Sequence, residues 1–214
     1  MSKKRNIFEV PFGETKVLLH TCCAPCSSAI IECLLKHGVT PVIYYCNPNI
    51  YPQEEYEIRK DECTRYAQSL GLEIIDADYD HENWLDAVKG LEHEPERGGR
   101  CLRCFKLRLL RTAEYAAAHG IRLITSTLAS SRWKSLDQIN EAGMWACEQV
   151  AARLLATKAL DSTTNPDFDE LLPVYWCHDW KKGGLQERRL QIIKEYDFYN
   201  QQYCGCEFSI RKTI

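Results

Sequence analysis

The chain has 214 residues, of which 45% are hydrophobic and 27% charged, with a formal net charge of −3. This composition is typical of a globular protein with a substantial core, and the small negative charge argues against wholesale coating of nucleic acid while leaving room for a local basic face. No apolar run reaches the length of a membrane span, and the first residues lack the apolar segment of a signal peptide. We therefore expect a cytoplasmic protein with no membrane partner.

Strand-like and helix-like segments alternate along the chain, which predicts right-handed βαβ units. We expect one α/β domain over residues 1–214, with a doubly wound, mainly parallel, Rossmann-like sheet and a cysteine-rich C-terminal segment. A loop is expected at 161–170. The predicted strands are 16–21, 40–48, 72–79, 121–128 and 171–177, and the predicted helices are 27–38, 53–71, a short one within 81–90, 101–120, 136–160 and 184–199.

Three loops that follow predicted strands carry polar or thiol side chains. They are "HTCCAPC" after the first strand, "NPN" after the second and "STLASSRWK" after the fourth. In doubly wound sheets the functional crevice lies beyond the carboxyl ends of the strands. The three loops are therefore expected to face one crevice.

Seven of the twelve cysteines lie in tight clusters, whereas the other five are isolated and suit core packing. The count is too low for a disulfide scaffold, so the clusters predict metal binding or redox chemistry in a reducing compartment. Four thiolates suit an iron–sulfur cluster, which leaves three cysteines for a second metal, a redox disulfide, or both. The clustered cysteines are Cys22, Cys23, Cys26, Cys101, Cys104, Cys204 and Cys206.

Polar residues near these thiols form a candidate substrate site, although each also has an ordinary structural explanation. The asparagines and the tyrosine suit a hydrogen-bonded ligand or a Pro-rich turn, and the cations suit phosphates or a solvated face. His20, at the end of the first strand, is either a satisfied structural histidine or an acid or ligand. The candidate substrate-binding residues are Asn47, Asn49, Tyr51, Arg132 and Lys134.

In their order and spacing, several of these motifs are similar to those of the cobalamin-independent epoxyqueuosine reductases. The similarity extends from about Lys16 to Arg211. The matching stretches are "HTCCAPC", "YYCNPNIYPQEEYEIR", "RCLRC", "TSTLASSRWK", "DWKKGGLQERR" and "FYNQQYCGCEFS".

This resemblance implies the last step of queuosine synthesis, in which the epoxide oxygen of epoxyqueuosine is removed at the wobble position of a tRNA. It also implies a four-iron cluster, an adjacent single iron and an external electron donor. The implied cluster ligands are Cys22, Cys23, Cys101 and Cys104, with Cys26 as the candidate for the second metal. Cys204 and Cys206 are then the redox-active pair or ligands of that second metal.

The expected mechanism combines Lewis-acid activation of the epoxide oxygen by iron with protonation of that oxygen by His20 or water. Two alternatives remain open at this point. A zinc-bearing RNA-binding module explains the CxxC and the cations but gives no role to three or more of the clustered thiols. A thiol–disulfide oxidoreductase explains "YCGC" but not the adjacent cysteines of "CC". The bound metal discriminates between them, because zinc without sulfide favours the RNA-binding module and no metal favours the oxidoreductase.

Overall fold

The computed structural model describes residues 8–131, 134–160 and 172–210. Arg132 and the predicted loop at 161–170 lie outside these residues. In the part of the chain described, no helix is both long and apolar enough to cross a membrane.

Alternating strands and helices form the α/β fold that the sequence pattern predicts. The strands are β1 (Lys16–Thr21), β2 (Thr40–Tyr45), β3 (Ile74–Asp76), β4 (Leu123–Ser126) and β5 (Val174–Tyr175). The helices are α1 (Ala24–Lys36), α2 (Gln53–Ser69), α3 (His81–Val88), α4 (Gly99–Ala118), α5 (Leu136–Leu160) and α6 (Leu185–Glu195).

The five strands form one parallel sheet in the order β3-β2-β1-β4-β5. The core residues Val17, Leu18 and Leu19 of the central strand β1 are fully buried, as expected for a parallel strand covered on both faces. Helix α1 packs against α6 and α2, while α4 packs against α5 and α3. The predicted doubly wound fold is confirmed.

The strand order reverses at β1, because the chain builds β2 and β3 on one side and β4 and β5 on the other. Such a switch point leaves a crevice at the carboxyl ends of β1 and β4. His20 pairs with Ser126 in the register of these two strands, just before both chains leave the sheet. The loop that carries the first three clustered cysteines begins at this point.

Candidate metal and redox site

Cys22, Cys23 and Cys26 come together in the turn between β1 and α1. Cys23 is the extended N-cap of α1, and Pro25 stands in the first helical turn, where its fixed φ favours helix initiation. Cys26 lies in the same turn. The three sulfur atoms lie within 4.8 Å of one another, which makes this trio a candidate metal site in the described part of the chain.

Hydrogen bonds within this trio favour ionisation of Cys22. The thiols of Cys23 and Cys26 bond to the Cys22 sulfur and lower its pKa well below the usual value, and the Thr127 hydroxyl donates to the same sulfur at 3.3 Å. The same bonding to Cys22 raises the pKa of Cys23, and it raises that of Cys26 to about 11. One thiolate thus forms readily and is held by two neutral thiols.

The other four clustered cysteines line one pocket, the four-thiol cavity, whose space including open solvent is about 290 Å³. Two of them come from the first turns of α4 and two from the C-terminal segment. The same cavity is lined by Asn49, Trp84, Arg100, Phe105 and Arg108. Cys101, Cys204 and Phe105 also line a second cavity of about 280 Å³, together with Glu96, Arg97 and Lys134. Cys101 and Cys204 therefore stand at the boundary between two pockets.

Two cations connect the trio with the four-thiol cavity. Arg108 is buried, and its Nη1 lies 4.0 Å from the Cys104 sulfur. Burial opposes its charge, but the thiols of Cys104 and Cys22 outweigh burial and raise its pKa. Burial likewise opposes the charge of Lys134, whose pKa is nevertheless raised by Cys204, Cys22 and Cys26. Thiols of the trio and of the four-thiol cavity thus act on the same two cations.

Arg59 fixes the segment that contains Cys204 and Cys206. This buried side chain of α2 donates hydrogen bonds to the carbonyls of Tyr203 at 3.2 Å and Cys204 at 3.3 Å. Its charge is balanced by Glu55, whose Oε1 lies 2.6 Å from Nη2. Gly205 has a φ of +112°, and Ile50 and Arg59 lie so close to it that a side chain at this position would contact them.

His20 is fully buried, and both ring nitrogens are hydrogen-bonded inside the protein. Nε2 donates to the Cys46 carbonyl at 3.1 Å, which leaves Nδ1 to accept from the Ser126 hydroxyl at 2.8 Å. Burial, assisted by the charge of Arg108, lowers the pKa of His20 to about 3. The neutral imidazole therefore joins the ends of β1, β2 and β4.

The predicted substrate-binding residues occupy different environments. The amide of Asn47 donates to the Thr21 carbonyl at 2.9 Å and accepts from Arg108, so it is engaged within the protein. Asn49 is buried in the four-thiol cavity, and its Oδ1 has no hydrogen-bond partner. Tyr51 is 45% exposed and stacks on His81. Lys134 lines the second cavity, and Arg132 lies outside the described residues.

Arg59, Trp84 and Arg108 are site residues that the sequence analysis missed. One signal was available, because Arg108 lies on the buried face of α4 between Phe105, Leu109 and Thr112. A cation at a core position is unusual unless it is paired, so its presence indicates a buried anionic or polar group that interacts with it. Trp84 gives no such signal, since a tryptophan in a helix is most simply explained by packing.

The fold and the site define a Rossmann-like α/β protein with a thiol-rich centre at its topological switch point. A family model described as "Epoxyqueuosine reductase QueH" matches residues 17–162 and 168–212. The chain belongs to this family.

Several relatives bear the name epoxyqueuosine reductase QueH. The protein of Haemophilus influenzae is 44% identical over 209 residues, covering 98% of this chain and 77% of its own length. That of Acinetobacter baylyi is 42% identical over 213 residues, with coverage of 100% and 88%. A more distant relative from Streptococcus pyogenes is 30% identical over 217 residues, with coverage of 99% and 76%. The resemblance inferred from the motifs is thus confirmed.

Proposed function

We propose that this protein reduces epoxyqueuosine to queuosine at the wobble position of tRNA. Membership of the epoxyqueuosine reductase family supports the reaction. The observation that carries the proposal is the convergence of seven free thiols at the switch point of the sheet. Neither an RNA-binding zinc module nor a simple dithiol oxidoreductase requires so many sulfur ligands in one place.

The donor set fits an iron–sulfur centre. All the candidate ligands are soft sulfur atoms, and the cations Arg108 and Lys134 offset the charge of several thiolates. Following the family resemblance, the proposed cluster ligands are Cys22, Cys23, Cys101 and Cys104, with Cys26 reserved for a second iron. When bound, an iron–sulfur cluster would relay electrons one at a time.

The CxC pair accounts for the redox balance of the reaction. Converting an epoxide to an alkene consumes two electrons and two protons and releases water. Oxidation of the Cys204 and Cys206 thiols to a disulfide releases two electrons and two protons, and an external reductant then restores the thiols. The location of Cys204 between both cavities suits this exchange.

Lys134 is the proposed residue that stabilises the departing oxygen. Its ammonium group lines the same pocket as Cys204, where the surrounding thiols favour its charged form. A cation at this position stabilises negative charge that develops as the C–O bond breaks. Asn49 and Tyr51 are proposed to contact the substrate, because one has a buried acceptor without a partner and the other an exposed ring.

For His20 and Asn47 we propose positioning roles. Every polar atom of the two side chains is engaged in bonds to the ends of β1, β2 and β4 or to Arg108. The proton expected from His20 is therefore assigned to Lys134 or to a bound water. Twelve free thiols also support our proposal that the protein acts in the reducing cytoplasm.

Metal analysis and turnover on the intact chain test this function. Protein prepared without oxygen should hold about four sulfides and roughly four to five irons per chain. It should convert tRNA bearing epoxyqueuosine in the presence of a chemical reductant. Stoichiometric zinc without sulfide would overturn the proposal in favour of an RNA-binding module, and absence of metal would favour a dithiol oxidoreductase.

A matched pair of cysteine variants tests the assignment to the site. Cys101→Ser should lose sulfide, iron and turnover together. Cys33→Ser should keep all three, because Cys33 lies in α1 and lines neither cavity. A fully active Cys101→Ser protein would contradict the proposed ligand set.

A further inference from the structure

One residue that lines the four-thiol cavity carries a buried hydrogen-bond donor without an acceptor. Trp84 of α3 is 0% exposed, and its indole Nε1 has no hydrogen-bond partner. The indole lines the cavity and packs with Cys104 and Cys206. Leaving such a donor unpaired costs roughly 1–3 kcal/mol, so the site is built for an acceptor that the protein itself does not provide.

The ring is also held in place by two stacking contacts. Trp84 stacks on His81 with ring centroids 5.4 Å apart and on Phe208 at 6.0 Å. His81 is fixed in turn by hydrogen bonds to the carbonyl of Pro48 and the carboxylate of Glu207. The indole therefore cannot rotate to another partner without breaking this stack.

The two arginines that line the cavity already have protein acceptors. Arg100 donates to the carbonyls of Leu91, Glu92 and Glu94. Arg108 donates to Cys46 and Asn47. The indole N–H differs from these two guanidinium groups in having no protein acceptor.

We propose that Trp84 donates a hydrogen bond from Nε1 to a sulfur atom of the metal centre bound in this cavity and thereby sets its reduction potential. The inference rests on the proposed iron–sulfur function. A hydrogen bond to sulfur stabilises the reduced state, which carries one more negative charge, and so raises the potential. Trp84 therefore makes the centre easier to reduce.

Trp84→Phe tests the proposal because it keeps a flat apolar ring between His81 and Phe208 but removes the N–H. The variant should bind the normal amounts of iron and sulfide. The midpoint reduction potential of its metal centre should be lower than in the wild-type protein. A redox titration monitored by electron paramagnetic resonance measures this potential. A loss of about tenfold in the equilibrium constant for reduction corresponds to about 59 mV for a one-electron couple.

Trp180→Phe is the matched control. Trp180 is equally buried, but its Nε1 donates to the Thr125 hydroxyl at 3.0 Å and the ring lines neither thiol cavity. This variant should keep the wild-type potential. If both variants lower the potential alike, the shift reflects loosened packing and the proposal fails.

A second measurement needs no variant. Ultraviolet resonance Raman spectra of the wild-type protein should show a stronger hydrogen bond at an indole N–H once the centre is loaded. An unchanged spectrum, or an unchanged potential in Trp84→Phe, would mean that the N–H binds a water molecule, for example one shared with Asn49, and would overturn the inference. If the wild-type protein takes up no iron and sulfide, the proposed function itself fails.

Discussion

The seven thiols can be assigned to metal sites in two ways, which differ in the site to which Cys26 belongs. Proximity groups it with Cys22 and Cys23, whereas the family resemblance reserves it for a second metal. Under the second division, Cys26→Ser should lose roughly one iron per chain and keep its sulfide, while Cys104→Ser should lose both. Iron and sulfide analysis of the two variants provides the measurement. Loss of sulfide from Cys26→Ser would instead make Cys26 a cluster ligand.

Gly205 is required by both its conformation and its surroundings. Its φ is +112°, and an added Cβ would lie 2.9 Å from Ile50 Cγ1 and 3.1 Å from Arg59 Nη1. We expect Gly205→Ala to lower stability by about 1–3 kcal/mol and to reduce turnover roughly 10–100-fold by displacing the CxC thiols. Chemical denaturation and single-turnover assays measure the two effects.

Gly38→Ala is the control for this substitution. Gly38 also has a positive φ, of +75°, but nothing lies within 4 Å of an added Cβ. It should lose stability from backbone strain alone and keep normal turnover. Equal turnover in the two variants would show that the close approach at Gly205 has no role in placing the thiols.

Residue identities predicted the thiol cluster more directly than they predicted the partners of the polar side chains. Clustered cysteines are informative because soft ligands at short spacing have few structural uses. The amide of Asn47 and the ring of His20 gave no comparable indication, since both are engaged by groups from other strands and helices. Such long-range partners are set by the fold and are invisible in local sequence.

Helix α2 positions the C-terminal segment through Arg59. Arg59→Met would leave Glu55 buried without its cation and would remove the donors to the Tyr203 and Cys204 carbonyls. We expect a loss of about 3–5 kcal/mol in the free energy of unfolding, because one partner of a buried ion pair is removed. Turnover should also fall as the CxC thiols lose their anchor.

The double variant Arg59→Met with Glu55→Gln separates the two effects of Arg59. Neutralising Glu55 should recover much of the lost stability, since no uncompensated charge stays buried. Turnover should remain low, because the two carbonyls still lack their donors. Normal turnover in the double variant would show that Arg59 merely neutralises Glu55.

The elements were predicted most accurately where the periodicity was uninterrupted. Strand β1 (Lys16–Thr21) and helix α5 (Leu136–Leu160) have the predicted bounds. Helix α1 begins at Ala24, three residues before its predicted start. Pro25 is compatible with the first helical turn, so the helix can start directly after Cys23. Strand β5 is only two residues long, since pairing with β4 ends there although the apolar run continues.

At the scale of the whole molecule, the sheet topology brings distant segments to one place. The three cysteine clusters are separated by more than seventy residues each. The first lies in the loop directly after β1, at the edge where parallel strands end, whereas helix α4 and the segment after α6 carry the other two. The alternating pattern predicted that the loops after β1, β2 and β4 face one crevice, but it placed neither the CxxC nor the C-terminal CxC there. It predicted Lys134 in the loop after β4, but it did not predict the position of Arg108, which depends on how α4 packs against β1.

If one metal centre spans these segments, binding it should stabilise the whole fold. At a thousandfold excess over Kd a ligand adds about 4 kcal/mol, and for a chain of this size that corresponds to about 8–16 °C in Tm. Removal of the metal by a chelator should reverse the shift, and Cys101→Ser should not show it. Calorimetry of the apo and loaded protein measures this difference.

Hydrogen exchange distinguishes a shared centre from separate ones. Loading should slow amide exchange in residues 20–27, 99–105 and 200–208 together, because each segment contributes ligands or contacts to the same group. The buried Arg108 and the half-buried Lys134, whose pKa values respond to thiols of both groups, should then face thiolates that are held by the metal. Protection confined to 20–27 would mean that the trio binds metal alone. In that case the C-terminal CxC would act only as a dithiol, and electrons would have to pass between two independent sites.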